Sequence, residues 1–476
     1  MALKNSICST MIKARHSLFI YSFKVGLILL LLISVTKVST AQEVITLRHA
    51  TELVLQNNLQ IKQAQLSEAL GDETLKQSKL ALYPTLNASN NLNLNYGRSN
   101  NPLTNQFVNQ SLTSTNGSLY TSVTVFQGFQ KINQIAQNKY DLEADKSYTQ
   151  KIKNDLLLAV VNNYLLVLSN QDLLVAAKQQ YAITNLQLDR EQKYFDVGSK
   201  TLADLSQAKA QLATSELNVT NAQNQVDISF LNLAQLLELD PALRFEVEKP
   251  VIDEIKQANT TSSASEIYQT ALKNYPDIKL AELRMLAWDK AVYVAKGNFY
   301  PRLVLQGSLG SGYSSVTQRL IVPQPVGSTI PVFEKTPFSD QINENFNQSV
   351  GFGLSIPLFN GYAARSSVRK AKINYQNAQI NVQVARNNLN KTINQAVLDL
   401  RASEKRYSSA QFAFQSSKEA FNVIEQRYNV GLVNSLDFNQ AQTNLNKAQF
   451  DEIQAKYDFI FRSKVIDYYL GNTISF

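Results

Sequence analysis

Two stretches of nearly seventy residues, from about Phe129 to Val197 and from Tyr362 to Val430, contain neither proline nor internal glycine. Nothing in them interrupts an α-helix, and at 1.5 Å per residue each makes a rod of roughly 100 Å. A globular domain has no use for such a rod, whereas a structure that crosses a periplasm does. Each rod stops at Val-Gly (Val197–Gly198 and Val430–Gly431) and is followed by a second helical pattern with 3–4 apolar spacing. Its seam reads Leu205, Ala208, Leu212, Ser215, Val219, Ala222, Val226, Ser229 and Leu233 in one case. In the other it reads Phe438, Ala441, Leu445, Ala448, Glu452, Ala455, Phe459, Arg462 and Ile466. Large and small side chains alternate along both seams, as helices packed closely side by side require.

The two hairpins are copies of one plan. "LQNNLQI" (55–61) matches "LKNYPDI" (272–278) and "LYPTL" (82–86) matches "FYPRL" (299–303), each offset by 217. From "FQGF" (126–129) against "FNGY" (359–362) the offset becomes 233 and stays there through Gly198/Gly431, Asp204/Asp437 and Leu237/Leu470. Helices whose register must be kept tolerate no insertions, while exposed loops do. The organisation expected is a leader over 1–41, a first repeat over 42–240, a connector over 241–265 and a second repeat over 266–476.

Before each rod lie two alternating patterns. In "TLNASNNLNLNY", Leu86, Ala88, Leu92, Leu94 and Tyr96 share one parity; in "QSVGFGLSIPLF", Val350, Phe352, Leu354, Ile356 and Leu358 do. Strands are expected at about 84–97, 117–126, 301–313 and 348–359, with long helices at about 129–197 and 362–430 and return helices at about 202–238 and 434–470. Tyr83, Phe126, Phe299, Tyr300, Phe359 and Tyr362 gather at one end of the strands, and Tyr96, Tyr120 and Tyr313 at the other. Strands of this length with aromatic girdles read as membrane-barrel strands. Four strands close no barrel, and an open edge in lipid leaves amides without partners. The chain is therefore expected to oligomerise through this sheet, two copies giving eight strands and three giving twelve.

The first 41 residues combine Lys4, Lys13, Arg15 and Lys24 with the apolar run "VGLILLLLISV" and small residues Ser39 and Ala41, the pattern of a secretory signal peptide. Its removal takes away five basic residues and no acidic one, so 46 Lys+Arg become 41 against 38 Asp+Glu. The basic balance thus belongs partly to the leader, and no nucleic-acid partner is expected. Cys8, the only cysteine, leaves with it, and His49 is the one histidine that remains. With no nucleophile elbow, phosphate loop or metal-ligand cluster in the sequence, no enzyme, cofactor or metal site is expected.

The leader, the two repeats, "PLFNGY" (357–362) and "RYNVGLVNSLDFNQAQ" (427–442) together resemble the TolC-like outer-membrane efflux protein family over about residues 44–471. The resemblance implies an α+β membrane protein in which each chain contributes four β-strands to a trimeric 12-stranded outer-membrane β-barrel. A long periplasmic α-helical coiled-coil tunnel continues it. The implied function is the exit channel of a tripartite efflux pump or type I secretion system in the Gram-negative outer membrane, carrying small molecules or exported proteins. The implied partners are a homotrimer, outer-membrane lipid, a periplasmic adaptor (membrane fusion) protein and an inner-membrane transporter of RND, ABC or MFS type. A secreted trimeric coiled-coil scaffold or adhesin is the alternative.

The same resemblance assigns roles at the Val-Gly turns. Val197, Gly198, Val430, Gly431 and Leu432 match the tips that dock the adaptor, with Ser199 standing where the second copy has Leu432. Asp437 matches the periplasmic constriction, and Gln440 stands where a second aspartate is common. Asp204 matches a closed-state latch to the neighbouring hairpin, with Tyr428 as its partner and Val433 in place of the usual base. Independently of the family, a glycine is what ends a helix most easily, and "TLAD" and "NSLD" read as N-caps with an acidic third residue.

Overall fold

The computed structural model describes residues 44–100, 107–109, 111–240, 245–249, 263–322, 326–327 and 330–472. The expected leader, much of the connector, and Pro323 and Pro325 lie outside them. Strands β1 (Thr85–Asn95), β2 (Leu112–Gln127), β3 (Arg302–Ser314) and β4 (Asn347–Ser355) form one antiparallel sheet in the order β4-β3-β2-β1. Leu119 stands between Ala88 and Leu309, and Leu305 between Val123 and Phe352. Because side chains alternate with period two, this register puts Leu86, Leu92, Leu119, Leu305, Val350 and Phe352 on one face. The other face is polar. There the Ser89 and Ser118 hydroxyls lie 2.8 Å apart, as do those of Ser308 and Ser349, and Tyr120 donates to Gln306 at 3.1 Å.

Two sequence expectations need correcting. Tyr120 is not part of the far aromatic cluster: β2 begins at Leu112, so Tyr120 falls inside the strand, opposite Asn87 and Ser308 on the polar face. β4 stops at Ser355 rather than near Phe359, since Pro357 has no amide to donate and ladders avoid it. In the first copy Thr124 replaces that proline, and β2 continues to Gln127 through a bulge between Thr124 and Phe126. Beyond both strands the chain turns identically, with Gly128 and Phe129 at φ 56° and 60° and Gly361 and Tyr362 at 61° and 62°.

The helices are α1 (Leu47–Asn57), α2 (Leu59–Leu80), α3 (Gln130–Asp196), α4 (Leu202–Leu236), α5 (Ala264–Asn274), α6 (Pro276–Lys296), α7 (Phe338–Glu344), α8 (Ala363–Asn429) and α9 (Ser435–Leu470). α3 and α8 each run 67 residues. α2 and α4 both pack on α3, and α6 and α9 both on α8, so two shorter helices share the length of each rod. Both α6 and α9 also touch α3, which joins the halves. The predicted seams are the inward faces: Leu205, Ala208, Ser215, Val226, Ser229 and Leu233 are buried on α4, and Phe438, Ala448, Ala455, Phe459 and Ile466 on α9. Arg462, which interrupts the second seam, bridges to Asp399 of α8 at 3.0 Å.

The largest core lies partway along the rods. Leu156, Val160, Val161, Tyr164 and Leu168 of α3 pack with Val54, Leu233, Phe245 and Ile460. Val44–Ile45 pairs in parallel with Glu246–Val247, and the Tyr164 hydroxyl lies 2.7 Å from the Glu248 carbonyl and 3.1 Å from that of Ile45. A second cluster joins α5, α8 and α9 through Ile267, Ile393, Leu400, Phe459 and Ile466. α3 is long and apolar enough by composition to cross a membrane, and its buried apolar residues Leu156, Val160, Val161, Leu165 and Leu168 line this core.

Candidate gate and docking tips

Each rod ends in the same way. Gly198 and Gly431 both take φ 76°, the left-handed conformation in which glycine carries no Cβ penalty. Ser199 N–H donates back to Tyr194 carbonyl at 2.8 Å, and Leu432 N–H to Arg427 carbonyl at 2.9 Å, satisfying carbonyls that a helix end leaves open. The return helix then restarts on a side-chain cap. Thr201 and Asp204 cap reciprocally: Asp204 N–H donates to the Thr201 hydroxyl at 3.2 Å, and Thr201 N–H to the Asp204 carboxylate at 3.1 Å. In the second copy Asn434 accepts from Asp437 N–H at 2.9 Å, with no reciprocal bond.

That difference separates the two aspartates. Asp204 is held by Thr201 and by the Ser435 hydroxyl, which donates to it at 3.0 Å from the other hairpin. The Thr201 side-chain bond, then its backbone bond and Ser435, hold the Asp204 carboxyl below its ordinary range. The Asp437 carboxylate is exposed and carries no hydrogen bond or ion pair among the described residues. It lines an open groove of about 760 Å³ with Arg427, Leu432, Asn434, Gln440 and Asn444. Gln440 is exposed and donates to Asn444 at 3.0 Å, so the groove's polar wall is ordered around a single free carboxylate.

Within one chain the two expected latch residues take different partners. The Tyr428 hydroxyl donates to Glu191 of α3, a carboxylate only 1% exposed. Its ring stacks on Phe438 at 4.7 Å, and Phe421 closes the cluster at 5.4 Å from Phe438. Two cations flank the ring, Lys200 at 5.3 Å and Arg190 at 5.4 Å from its centroid, an attraction between cation and ring quadrupole. Burial first, then the Glu191 bond, push the Tyr428 hydroxyl well above its ordinary range, so it stays a neutral donor. Lys200 also reaches Glu191, at 4.0 Å. One turn further from the tip, Gln187 donates to Asn439 at 3.2 Å.

Sequence reading missed Glu191, Lys200 and Ser435, whose meaning depends on which hairpin faces them. It also missed part of the tips. Val197, Val430 and Leu432 are 73%, 71% and 69% exposed, and Leu202 and Leu436 are equally bare at 65% and 71%. Apolar residues at the first helical turn after a glycine stop were the available signal for these two.

Residues 50–238 and 267–472 match the family described as outer membrane efflux protein. The chain is 23% identical over 423 residues to the outer membrane efflux protein BepC of Brucella suis, covering 88% of this chain and 83% of that one. It is 24% identical over 288 residues to the outer membrane protein TolC of Escherichia coli, covering 60% and 55%. In three dimensions it resembles the CmeC outer membrane channel of Campylobacter jejuni, with a TM-score of 0.76 at 19% identity over 89% of this chain and 85% of that one. The matched segments take in both rods, all four strands and both tips, and the chain belongs to the outer membrane efflux protein family.

Proposed function

We propose that this chain is the passive exit duct of a tripartite efflux pump or type I secretion system, with three copies closing one 12-stranded barrel. The observation that carries this reading is the sheet. Its apolar face is bare, with Val350 82%, Leu86 73% and Phe352 71% exposed, and β1 and β4 each keep one unpaired edge among the described residues. Lipid covers such a face, and nothing but another strand satisfies such an edge. β1 and β4 run in opposite senses, so the β1 edge of one copy suits the β4 edge of the next. This head-to-tail contact closes into a ring. Twelve strands leave an open lumen, whereas eight would be filled by their own side chains.

The helices support the same assembly. Ile373, Ile380, Leu398 and Phe412 of α8 and Leu59, Leu66 and Leu70 of the first repeat are exposed in the single chain, and neighbouring copies would cover them. Duplication supplies six similar hairpin units for a threefold tube. The leader over 1–41 directs export and is removed. Asp437 forms the ring of carboxylates at the periplasmic constriction, with Gln440 one turn deeper. Asp204 and Tyr428 hold the closed state through Ser435 and Glu191 respectively. The tips Val197–Gly198 and Val430–Leu432 dock a periplasmic adaptor, and the energy comes from an inner-membrane transporter. A secreted scaffold or adhesin has no use for an apolar sheet face with aromatic girdles. The test is the mass and conductance of the detergent-solubilised protein. Three chains per particle and stepwise conductance in a planar bilayer are expected; a detergent-free soluble monomer overturns the reading.

A further inference from the structure

The described residues of the polar connection between β3 and β4 fold onto a particular face of the sheet. Gln341 of α7, 1% exposed, accepts from Ser314 N–H at 2.9 Å and donates to the Ser314 and Thr336 carbonyls at 3.0 and 2.8 Å. The Ser311 hydroxyl donates to the Ile342 carbonyl at 2.6 Å, and Asn345 to the Gly312 carbonyl at 2.7 Å. Arg319 bridges Glu334 at 2.8 Å and Asp340 at 2.9 Å, tying the short hairpin of Gln318–Leu320 and Phe333–Lys335 to α7. Phe338 packs on Tyr313 with ring centroids 5.2 Å apart.

Ser311 and Tyr313 carry the parity of Leu305 and Leu309, opposite Gly117 and Thr115, so α7 stands against the apolar face. From Leu303 to Tyr313 the strand rises ten steps, which at about 3.3 Å per residue and a tilt near 40° is about 25 Å, the height of a barrel's apolar band. α7 therefore sits where that band meets the outer headgroups. Two phenylalanines there are bare, Phe338 at 57% and Phe346 at 57% exposed, at the same end of the sheet as Tyr96, which is 81% exposed beyond the far edge strand β1. Phe346, one residue before β4, continues the parity of Gln348 and Val350, which stand opposite Leu309 and Gly307. A neighbouring copy joins in the plane of the sheet, through the edge of β4, and leaves this out-of-plane face uncovered.

Resting on the exit-duct reading, we infer that α7 is an outer-leaflet anchor. Phe338 and Phe346 insert at the boundary between headgroups and acyl chains of the outer-membrane lipid, completing from a loop an aromatic girdle that the strands leave sparse. Aromatic rings favour that boundary because one side is apolar and the other wet.

The test uses tryptophan fluorescence, since Trp288 is the only tryptophan. In the full-length exported protein carrying Trp288→Phe, single tryptophans are placed by Phe338→Trp, Phe346→Trp, Phe359→Trp at the opposite girdle, and Ser199→Trp at the tip. Each is reconstituted into nanodiscs of phosphatidylethanolamine and phosphatidylglycerol, with and without bromine on the acyl chains near the headgroup. Bromine is expected to lower emission about twofold for Phe338→Trp, Phe346→Trp and Phe359→Trp, and to leave Ser199→Trp unchanged. If Phe359→Trp is quenched while both α7 probes behave like Ser199→Trp, the anchor is overturned and the duct stands. Protection of the α7 probes from both bromine and aqueous acrylamide places them against a protein neighbour and also overturns it. Loss of quenching at Phe359→Trp sinks both readings.

Discussion

The Ser435 hydroxyl donates to the Asp204 carboxylate at 3.0 Å, binding the first turn of one return helix to the first turn of the other. Asp204 thus performs two tasks at once, capping its own helix through Thr201 and holding the second hairpin. Ser435→Ala removes only the bond between hairpins, about 0.5–1.5 kcal/mol. Asp204→Ala also removes the carboxylate's half of the capping box, the bond from Thr201 N–H, and leaves the Thr201 hydroxyl's bond to the backbone N–H of residue 204 in place. Single-channel recordings of the reconstituted protein are expected to show open time rising for Ser435→Ala and rising further for Asp204→Ala. In the double variant the serine change adds nothing, because its partner is already gone. Unchanged open time in Asp204→Ala eliminates this latch.

The same carboxylate sets a pH window. Its folded value lies below the ordinary 3.8, so the group contributes stability that is fully present above that ordinary value. The contribution is lost as pH falls through the depressed one. Acidification from pH 7 to 5 should therefore leave the Asp204 contact intact, with opening appearing only below about pH 4. Asp204→Asn should remove that acid step in a conductance titration while leaving any other pH response in place.

Tyr428 and Glu191 form the drier contact. Tyr428→Phe keeps the stack on Phe438 but leaves Glu191 buried without its donor, at a cost of about 1–3 kcal/mol. Glu191→Gln leaves an acceptor for the hydroxyl and removes the buried charge, so its cost is smaller. Lys200 and Arg190 lie 5.3 and 5.4 Å from the ring centroid. Their attraction survives in both variants. The expected order of open probability is Tyr428→Phe above Glu191→Gln above the parent, and the reverse order of the two variants would make the charge, not the hydroxyl, the holding element.

These contacts also mark how far sequence reading reaches. The rods, their glycine stops and their seams were legible because each follows from local rules: uninterrupted helix, left-handed glycine, 3–4 spacing. The face of each strand was legible from parity. Tyr120 was misplaced because "LTSTN" ahead of it alternates too weakly in polarity to show that β2 already begins at Leu112. Glu191 and Tyr428 lie 237 positions apart, and nothing local to either announces the other. Helix α7 is a single short amphipathic turn pair inside a proline-rich connection, below the length at which periodicity speaks.

The two strand-to-helix corners provide a test of assembly. Gly128 and Gly361 share nearly the same backbone, φ 56° and 61°, so alanine carries the same left-handed penalty of about 1 kcal/mol at both. Their surroundings in one chain differ. A Cβ on Gly128 meets the Gly297 carbonyl oxygen at 2.6 Å and the Tyr300 Cβ at 2.7 Å, while one on Gly361 meets nothing within 4 Å. The Gly297–Tyr300 turn precedes β3 and belongs to the second repeat, so Gly128 is packed by the unit that follows it in the ring. In a closed trimer the unit following Gly361 is the first repeat of the next copy, whose corresponding turn precedes β1. Gly128→Ala should therefore impair folding of each chain, measured as protease sensitivity of the detergent-solubilised chain. Gly361→Ala should spare the chain and impair trimer yield on native electrophoresis. Equal protease sensitivity in both variants would mean that the second corner is not an intermolecular contact, and would count against head-to-tail closure.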